Sequence, residues 1–203
     1  MKKNNHYLEE ILESIEIKKK LIRLNKEVFL SIKRIFSTIK NGGKVFICGN
    51  GGSAADAQHL SAEFLVRLNP KINRRPFPMI SLAMDTSTLT ACGNDFDFKY
   101  IFSRNLQALG SKKDLLIAIS TSGNSRNIIE VLKQSKKMKI FSISFLGFNG
   151  GAAKKISNLN IIVPHKKVSR IQECHIFLGH FILQKVENML LVSQHRMKKL
   201  PQN

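Results

Sequence analysis

From residue 44 onwards, short apolar segments alternate with longer segments of helical pattern, and this alternation constrains the fold most. Apolar runs without polar alternation are typical of strands buried on both faces, and helices between them indicate a parallel sheet covered on both sides. We therefore predict a doubly wound α/β domain with a five-stranded parallel sheet flanked by helices. The predicted strands are 44–48, 78–84, 114–119, 139–145 and 159–163. The predicted helices are 54–68, 86–109 with a break near 93–95, a helix ending near 137, a short helix opened by 150–151, and 169–194.

The first 40 residues predict one or two helices. Leu21, Leu24, Val28 and Ile32 belong to an apolar stripe at helical spacing, which Asn41-Gly42-Gly43 ends. The stripe needs a partner surface, and packing on the domain and packing on a neighbouring subunit are both open. We expect a helical segment at 1–40, a main domain at 41–195 and a basic tail at 196–203.

The formal charge is +19, from 33 Lys+Arg against 14 Asp+Glu, which favours anionic partners. The lysines are spread along the chain without a basic arm, so nucleic acid is an unlikely partner and a solvated basic surface is the simplest interpretation. No apolar run approaches the roughly 20 residues needed to span a bilayer, and no signal-peptide core is present. Three cysteines, Cys48, Cys92 and Cys174, do not form a disulfide framework. We expect a cytoplasmic protein that does not bind membranes.

The segment Ser120-Thr121-Ser122-Gly123-Asn124-Ser125 has four hydroxyls and lies directly between a predicted strand and a predicted helix. Free amides at a helix start attract anions, and hydroxyls add donors for phosphate oxygens. A nucleotide-binding P-loop would have a lysine here, so the pattern favours a sugar phosphate over ATP. The simpler alternative, in which Ser125 only caps the helix, explains one hydroxyl and not four.

The segment Gly49-Asn50-Gly51-Gly52-Ser53 follows the first predicted strand. Its glycines permit positive φ angles and a close approach of the backbone to a ligand, but a tight turn would also use them. Ligands of parallel sheets lie beyond the carboxyl ends of the strands. This loop and the hydroxyl-rich loop therefore form one predicted site.

Two helical pairs carry candidate chemistry. His59 and Glu63 lie four residues apart, and Gln172 and His180 lie eight apart, so each pair shares a helix face. Imidazole beside carboxylate serves acid–base chemistry or binds zinc, but such a pair is also common on helix surfaces. The last helix also contains His175, and a lone helical histidine is more often structural.

The order and spacing of these motifs resemble the phosphoheptose isomerases, also called sedoheptulose 7-phosphate isomerases, of the sugar-isomerase (SIS) domain superfamily. The resemblance covers residues 40–190 and rests on five segments: 48–59 with Glu63, 93–96, 119–125, 170–173, and His175 with His180. It implies an aldose–ketose isomerase that converts sedoheptulose 7-phosphate to D-glycero-D-manno-heptose 7-phosphate through an enediol. It implies the first step of ADP-heptose or GDP-heptose precursor biosynthesis, for lipopolysaccharide, capsule or glycoprotein. It also implies a homotetramer with shared active sites and one Zn²⁺ per subunit.

The resemblance also assigns site residues. The metal positions are His59, Glu63, Gln172 and His180. The substrate positions are Asn50, Gly51, Gly52, Ser53, Glu63, Asn94, Asp95, Ser120, Thr121, Ser122, Ser125 and Gln172. We take Glu63 as the catalytic base and His180 as the acid. The chain departs from many relatives at Ser169, within the basic run 165–170, and this departure bears on the choice of substrate.

Two alternatives stay open from the sequence. A non-catalytic SIS protein that binds a replication initiator or DNA would use the positive charge, but it has no need of Glu63, Gln172 and His180 together. Another sugar-phosphate enzyme or sensor of the same fold, such as a hexulose-phosphate isomerase, would share the hydroxyl-rich loop and lack these pairs.

Overall fold

The computed structural model describes residues 6–198, and side chains as far as residue 193. The helices are α1 His6–Lys20, α2 Asn25–Lys40, α3 Gly52–Leu65, α4 Thr86–Asp95, α5 Ile101–Leu109, α6 Arg126–Lys137 and α7 Val168–Lys198. The strands are β1 Val45–Cys48, β2 Met79–Ser81, β3 Leu115–Ser120, β4 Phe141–Gly147 and β5 Leu159–Val163. Short 3-10 turns occupy Leu21–Leu24, Phe98–Tyr100 and Ala153–Lys155. Of the predicted basic tail, residues 199–203 lie outside the described part of the chain.

The five strands form one parallel sheet in the order β2-β1-β3-β4-β5, which confirms the predicted fold class. The strand order reverses direction between β1 and β3, and ligands of such sheets bind where this reversal opens a crevice. The loops that follow β1 and β3 are the glycine-rich and hydroxyl-rich segments of the sequence. The topology therefore brings together the two loops from which a site was predicted.

Asp114 joins the two central strands at the opposite, amino edge of the sheet. Its buried carboxylate accepts hydrogen bonds from the Lys44 amide at 2.7 Å and from the Ser111 amide at 2.8 Å. Because Lys44 precedes β1 and Asp114 precedes β3, one side chain fixes both strand starts.

Apolar side chains cover both faces of the sheet. One face packs against α2, α3 and α7, and its core includes Ile32, Ile35, Ile117, Leu183 and Val186. The other face packs against α5 and α6, with Phe46, Phe102, Leu106, Val131 and Leu132 at its centre. The helix α2 thus packs on the domain, which is one of the two arrangements left open by the sequence.

The helix α1 keeps much of its apolar surface exposed. Leu12 and Ile15 are 51% and 44% exposed, whereas Ile17 is buried against the core. A group of ionic contacts holds α1 to the start of α7: Lys167 binds Glu10 and Glu13, and Arg170 donates to the Glu10 carbonyl at 2.8 Å. These two cations of the basic run 165–170 are therefore engaged by the N-terminal helix.

Candidate active site

The hydroxyl-rich loop, residues 120–125, is folded by hydrogen bonds from its own amides. The Gly123 amide donates to Ser120 Oγ and the Asn124 amide donates to Ser122 Oγ, each at 3.1 Å. Ser125 occupies the N-cap position of α6, and its side chain makes no capping bond within the described chain. The simpler alternative, that this serine only caps the helix, therefore gains no support from a capping bond, and the first amides of α6 are the kind of donors that bind anions.

Gly123 and the loop after β4 fix the shape of this segment. Gly123 has φ +66°, and a Cβ there would lie 2.0 Å from the carbonyl oxygen of Gly150. The Ala153 amide donates to the Gly123 carbonyl at 2.9 Å, and the Ala152 amide donates to Asn124 Oδ1 at the same distance. Only glycine combines this φ with so close a backbone contact. The segment 150–153 thus packs against the hydroxyl-rich loop and fixes its shape.

The glycine-rich loop, residues 49–53, faces the hydroxyl-rich loop across the crevice. Gly51 has φ +55° and turns the chain into α3. Asn50 and Asn127, in the first turn of α6, exchange two side-chain hydrogen bonds at 2.8 and 2.7 Å. Asn127 is 2% exposed, so this pair is a fixed link between the two loops. Asn127 is not among the residues predicted from the sequence, because an asparagine in a helix has no periodic signal.

Three side chains of α3 and α7 form a compact polar cluster. His59 Nε2 lies 2.7 Å from His180 Nε2 and 3.5 Å from Glu63 Oε1. The two imidazole rings meet edge to face, with centroids 4.9 Å apart. Burial lowers the pKa of His180, and the neighbouring His59 lowers it further, while Glu63 acts in the opposite direction. Since one nitrogen must donate and the other accept at 2.7 Å, at least one of the two rings is neutral.

The cluster fits a metal ion in its donor set. One ligand atom from each of His59, Glu63 and His180 lies within 4.8 Å of the other two. Two imidazoles and a carboxylate are a set that catalytic zinc takes, with a fourth position open. At metal–ligand distances of about 2.0–2.1 Å, tetrahedral ligand atoms lie about 3.3 Å apart. The His59–Glu63 separation of 3.5 Å is close to this value, and the histidine pair would need to open slightly.

Gln172 lies at the other end of the contact between α3 and α7. A Cβ on Gly52, the first residue of α3, would lie 2.5 Å from Gln172 Nε2. A Cβ on Gly179 would lie 2.6 Å from Leu60 Cδ1, so glycine at 179 allows α7 to approach α3 closely beside the histidine pair. The contacts Gly52–Gln172 and His59–His180 show that the two helices run in the same direction. The carboxamide of Gln172 therefore lies near the start of α3, about two turns before His59.

Other predicted residues lie apart from this cluster. Asn94 and Asp95 are exposed at the end of α4, where Asn94 Nδ2 donates to Asp95 Oδ1 at 2.8 Å. His175 is fully buried and makes a hydrogen bond between its Nε2 and the Leu146 carbonyl at 3.1 Å. Burial lowers its pKa to about 4, so His175 is a neutral structural residue.

Comparisons with known proteins identify the family. The sequence profile of the SIS domain matches residues 6–147. A phosphoheptose isomerase from Campylobacter concisus is 51% identical over 158 residues, which are 78% of this chain and 82% of that protein. One from Chlorobaculum parvum is 43% identical over 90% of this chain and 88% of its own length. The chain belongs to the phosphoheptose isomerase family.

A solved structure of the same family supports this membership. The phosphoheptose isomerase GmhA from Neisseria gonorrhoeae superposes on this isomerase with a TM-score of 0.85 at 35% identity, over 91% of this chain and 98% of that one.

None of the helices formed by residues 6–198 has the length and apolarity that spanning a lipid bilayer requires.

Proposed function

We propose that this isomerase converts sedoheptulose 7-phosphate to D-glycero-D-manno-heptose 7-phosphate, as the first step of ADP-heptose or GDP-heptose precursor biosynthesis in the cytoplasm. The observation that supports the proposal most strongly is the cluster of His59, Glu63 and His180. It lies on α3 and α7, which border the site formed by the glycine-rich and hydroxyl-rich loops. Family membership adds the substrate class. The comparisons do not favour the alternative of a non-catalytic protein that binds a replication initiator or DNA.

The two loops and the cluster divide the work of binding and chemistry. The amides and hydroxyls of Ser120, Thr121, Ser122 and Ser125 hold the phosphate, and the glycine-rich loop, with Asn50, Gly51, Gly52 and Ser53, borders the sugar. His59 lies seven residues after Gly52, about 10 Å along α3. The cluster therefore lies about two helical turns from the glycine-rich loop.

The isomerisation moves one proton between neighbouring carbons. Glu63 takes the proton from C1 of the open-chain ketose, the C1–C2 enediol forms, and the same carboxylate returns the proton to C2. His180 moves the proton between the oxygens on C2 and C1 and assists ring opening. Its lowered pKa favours the neutral ring, which can pass a proton through the ring nitrogen that a bound metal ion would leave free.

We propose one Zn²⁺ per subunit, held by His59, Glu63, His180 and Gln172. When bound to these residues, a zinc ion would supply Lewis-acid polarisation of the substrate carbonyl. The donor set of the first three residues supports this assignment. Gln172 is assigned by resemblance alone: its carboxamide lies beside Gly52 at the start of α3, so it could join the same ion only after its side chain turned towards His180.

We also propose a homotetramer in which neighbouring subunits complete the site. Exposed apolar residues on the N-terminal helices support it, among them Tyr7, Leu12 and Phe29. A groove of about 660 Å³ between α1 and α7 extends to His180, so a second subunit seated there would border the cluster. In this arrangement Asn94 and Asp95 reach the substrate of a neighbour. The division into residues 1–40, 41–195 and 196–203 stays a prediction.

The decisive experiment uses the purified full-length chain with sedoheptulose 7-phosphate in D₂O, followed by NMR. We expect new aldose signals. Deuterium should appear at C2 to the extent that the protonated Glu63 carboxyl exchanges with the solvent before C2 takes the proton. Fructose 6-phosphate is the control for substrate specificity. A chelator should lower the rate and added Zn²⁺ should restore it. A protein that is correctly folded and zinc-loaded, and that produces no aldose, would show that the proposed reaction is wrong.

A further inference from the structure

A buried ion pair joins the end of α3 to α7 beyond the catalytic cluster. Arg74 Nε donates to Glu187 Oε1 at 2.5 Å, and both side chains are 1% exposed. The desolvation of two buried charges costs several kcal/mol each, so such a pair is weak evidence for stability by itself. Its geometry, however, involves both helices that carry the cluster.

The guanidinium of Arg74 also caps the C-terminal end of α3. Nη2 donates to the Glu63 carbonyl at 2.9 Å and Nη1 donates to the Phe64 carbonyl at 3.0 Å. Nη1 donates in addition to the Arg75 carbonyl at 3.0 Å. Arg74 lies over the ring of Phe77, 4.3 Å from its centroid, and the Phe77 amide donates to the Phe64 carbonyl. One side chain thus contacts the backbone of the proposed base and a carboxylate of α7.

Glu187 and His180 lie on the same face of α7. Seven residues separate them, about two helical turns, and eight separate Gln172 from His180. Three contacts between α3 and α7 therefore lie along one line. Gly52 meets Gln172 at the start, and His59 meets His180 in the middle. At the end of α3, Arg74 connects the helix to Glu187.

We propose that Arg74 and Glu187 are positioning residues, which hold α3 and α7 at the spacing that Glu63 and His180 need for proton transfer. The proposal rests on the proposed function for its kinetic readout. Arginine suits the role because its planar fork makes all four contacts at once, which the single ammonium of lysine cannot do.

The test compares wild type with three variants: Arg74→Lys, Glu187→Gln and the double variant Arg74→Met/Glu187→Met. The double variant keeps volume and leaves no unpaired charge, so it is the variant expected to fold. A shift of about 1 Å at a reacting group can cost about 100-fold in rate, so we expect kcat to fall at least tenfold. The KM for sedoheptulose 7-phosphate should change less than threefold, because Arg74 and Glu187 make none of their described hydrogen bonds to the hydroxyl-rich loop.

Asp114→Asn is the matched control. Asp114 is a similarly buried carboxylate with charge-assisted hydrogen bonds, but at the amino edge of the sheet. We expect this variant to lose stability and to keep the kcat of wild type per folded molecule. Amide hydrogen exchange gives a second readout without substrate: residues 60–66 should exchange faster in the double variant and not in Asp114→Asn.

The outcomes separate the two proposals. An inactive wild type would reject the proposed function, and faster exchange at residues 60–66 would still support the positioning role. A folded double variant with wild-type kcat, or one with wild-type exchange at residues 60–66, would overturn the positioning role. Equal losses of kcat in Asp114→Asn and in the double variant would also overturn it, since they would indicate a general loss of stability.

Discussion

Asn50 and Asn127 exchange two side-chain hydrogen bonds, at 2.8 and 2.7 Å, across the crevice between the glycine-rich and hydroxyl-rich loops. We predict that Asn127→Ala raises the KM for sedoheptulose 7-phosphate about tenfold, because a lost buried hydrogen bond costs about 1–3 kcal/mol and frees Asn50. Steady-state kinetics measure this change. Ser135→Ala is the control, since Ser135 is also buried on α6 and its hydroxyl donates to the Leu132 carbonyl within the same helix. Equal KM values in both variants would show that the loops keep their spacing without the asparagine pair.

Replacement of the proposed base tests the chemistry directly. In Glu63→Gln the carboxylate is lost with little change in shape, so we predict that kcat falls about 10²–10⁴-fold. Calorimetric titration with substrate should give an affinity within threefold of wild type. The control is Glu130→Gln on α6, whose carboxylate binds Lys133 at 2.7 Å. Turnover of Glu63→Gln within tenfold of the control would exclude Glu63 as the base.

Substitution of Gly123 tests whether the hydroxyl-rich loop binds phosphate. We predict that Gly123→Ala lowers the free energy of unfolding by about 2–4 kcal/mol, because the side chain meets both a positive φ and the Gly150 carbonyl. Urea unfolding with and without inorganic phosphate measures the effect: phosphate should stabilise wild type and not the variant. Gly93→Ala is the control, since a Cβ at Gly93 has no neighbour within 4 Å among the described residues. A variant that phosphate stabilises as much as wild type would contradict the assignment of this loop.

His175 predicts a pH dependence of stability. Burial lowers its pKa to about 4, whereas the unfolded chain binds a proton at the ordinary value near 6.5. The stabilising contribution is therefore complete above pH 6.5 and is lost as the pH falls from 6.5 through about 4, by roughly 3 kcal/mol. In His175→Gln this loss should be absent. Urea unfolding of both proteins at pH 7, 5.5 and 4 gives the difference, and a difference that does not change with pH would contradict the prediction.

Ion pairs link α1 to the start of α7, so we expect the stability of this contact to depend on the salt concentration and on the sign of the charge at each position. We predict that Lys167→Glu accelerates amide hydrogen exchange in α1 several-fold, because Lys167 binds Glu10 and Glu13. Adding Glu10→Lys and Glu13→Lys should restore slow exchange, and 1 M salt should accelerate exchange in wild type. Lys133→Glu, which alters a pair within α6, is the control. Unchanged exchange in Lys167→Glu would mean that the Lys167 contacts do not hold α1, and that its remaining contacts, such as Arg170 with the Glu10 carbonyl, are sufficient.

Much of the fold follows from the apolar pattern. The predicted strands 114–119 and 159–163 agree with β3 and β5 within one residue, because buried parallel strands are continuous apolar runs. The strand β2 is shorter than the predicted 78–84, since the chain turns away after Ser81 towards the cap of α4 at Asp85. The predicted helix at 150–151 is only a 3-10 turn at Ala153–Lys155.

The site was predictable to different degrees. The convergence of the loops follows from the order of the strands, so the residues at 49–53 and 120–125 could be found from chemistry and position alone. The meeting of His59 with His180 depends on the packing of α3 on α7, and only the resemblance indicated it. Glu187 gave one usable signal, a carboxylate among the buried Leu183, Val186 and Leu190. Arg74 lies in a segment without periodicity, so nothing local distinguished it.

The two edges of the parallel sheet have different roles, one in ligand binding and the other in structural support. Every proposed binding loop is at the carboxyl ends of the strands, while Asp114 fixes β1 and β3 at the amino ends. The turns at 41–43 and 110–113 lie at that amino edge, and Gly42, Lys112 and Lys113 are exposed there. Immobilisation on a support through Lys112 would therefore leave the crevice open to dissolved sugars, and the enzyme could be used as a fixed-bed catalyst.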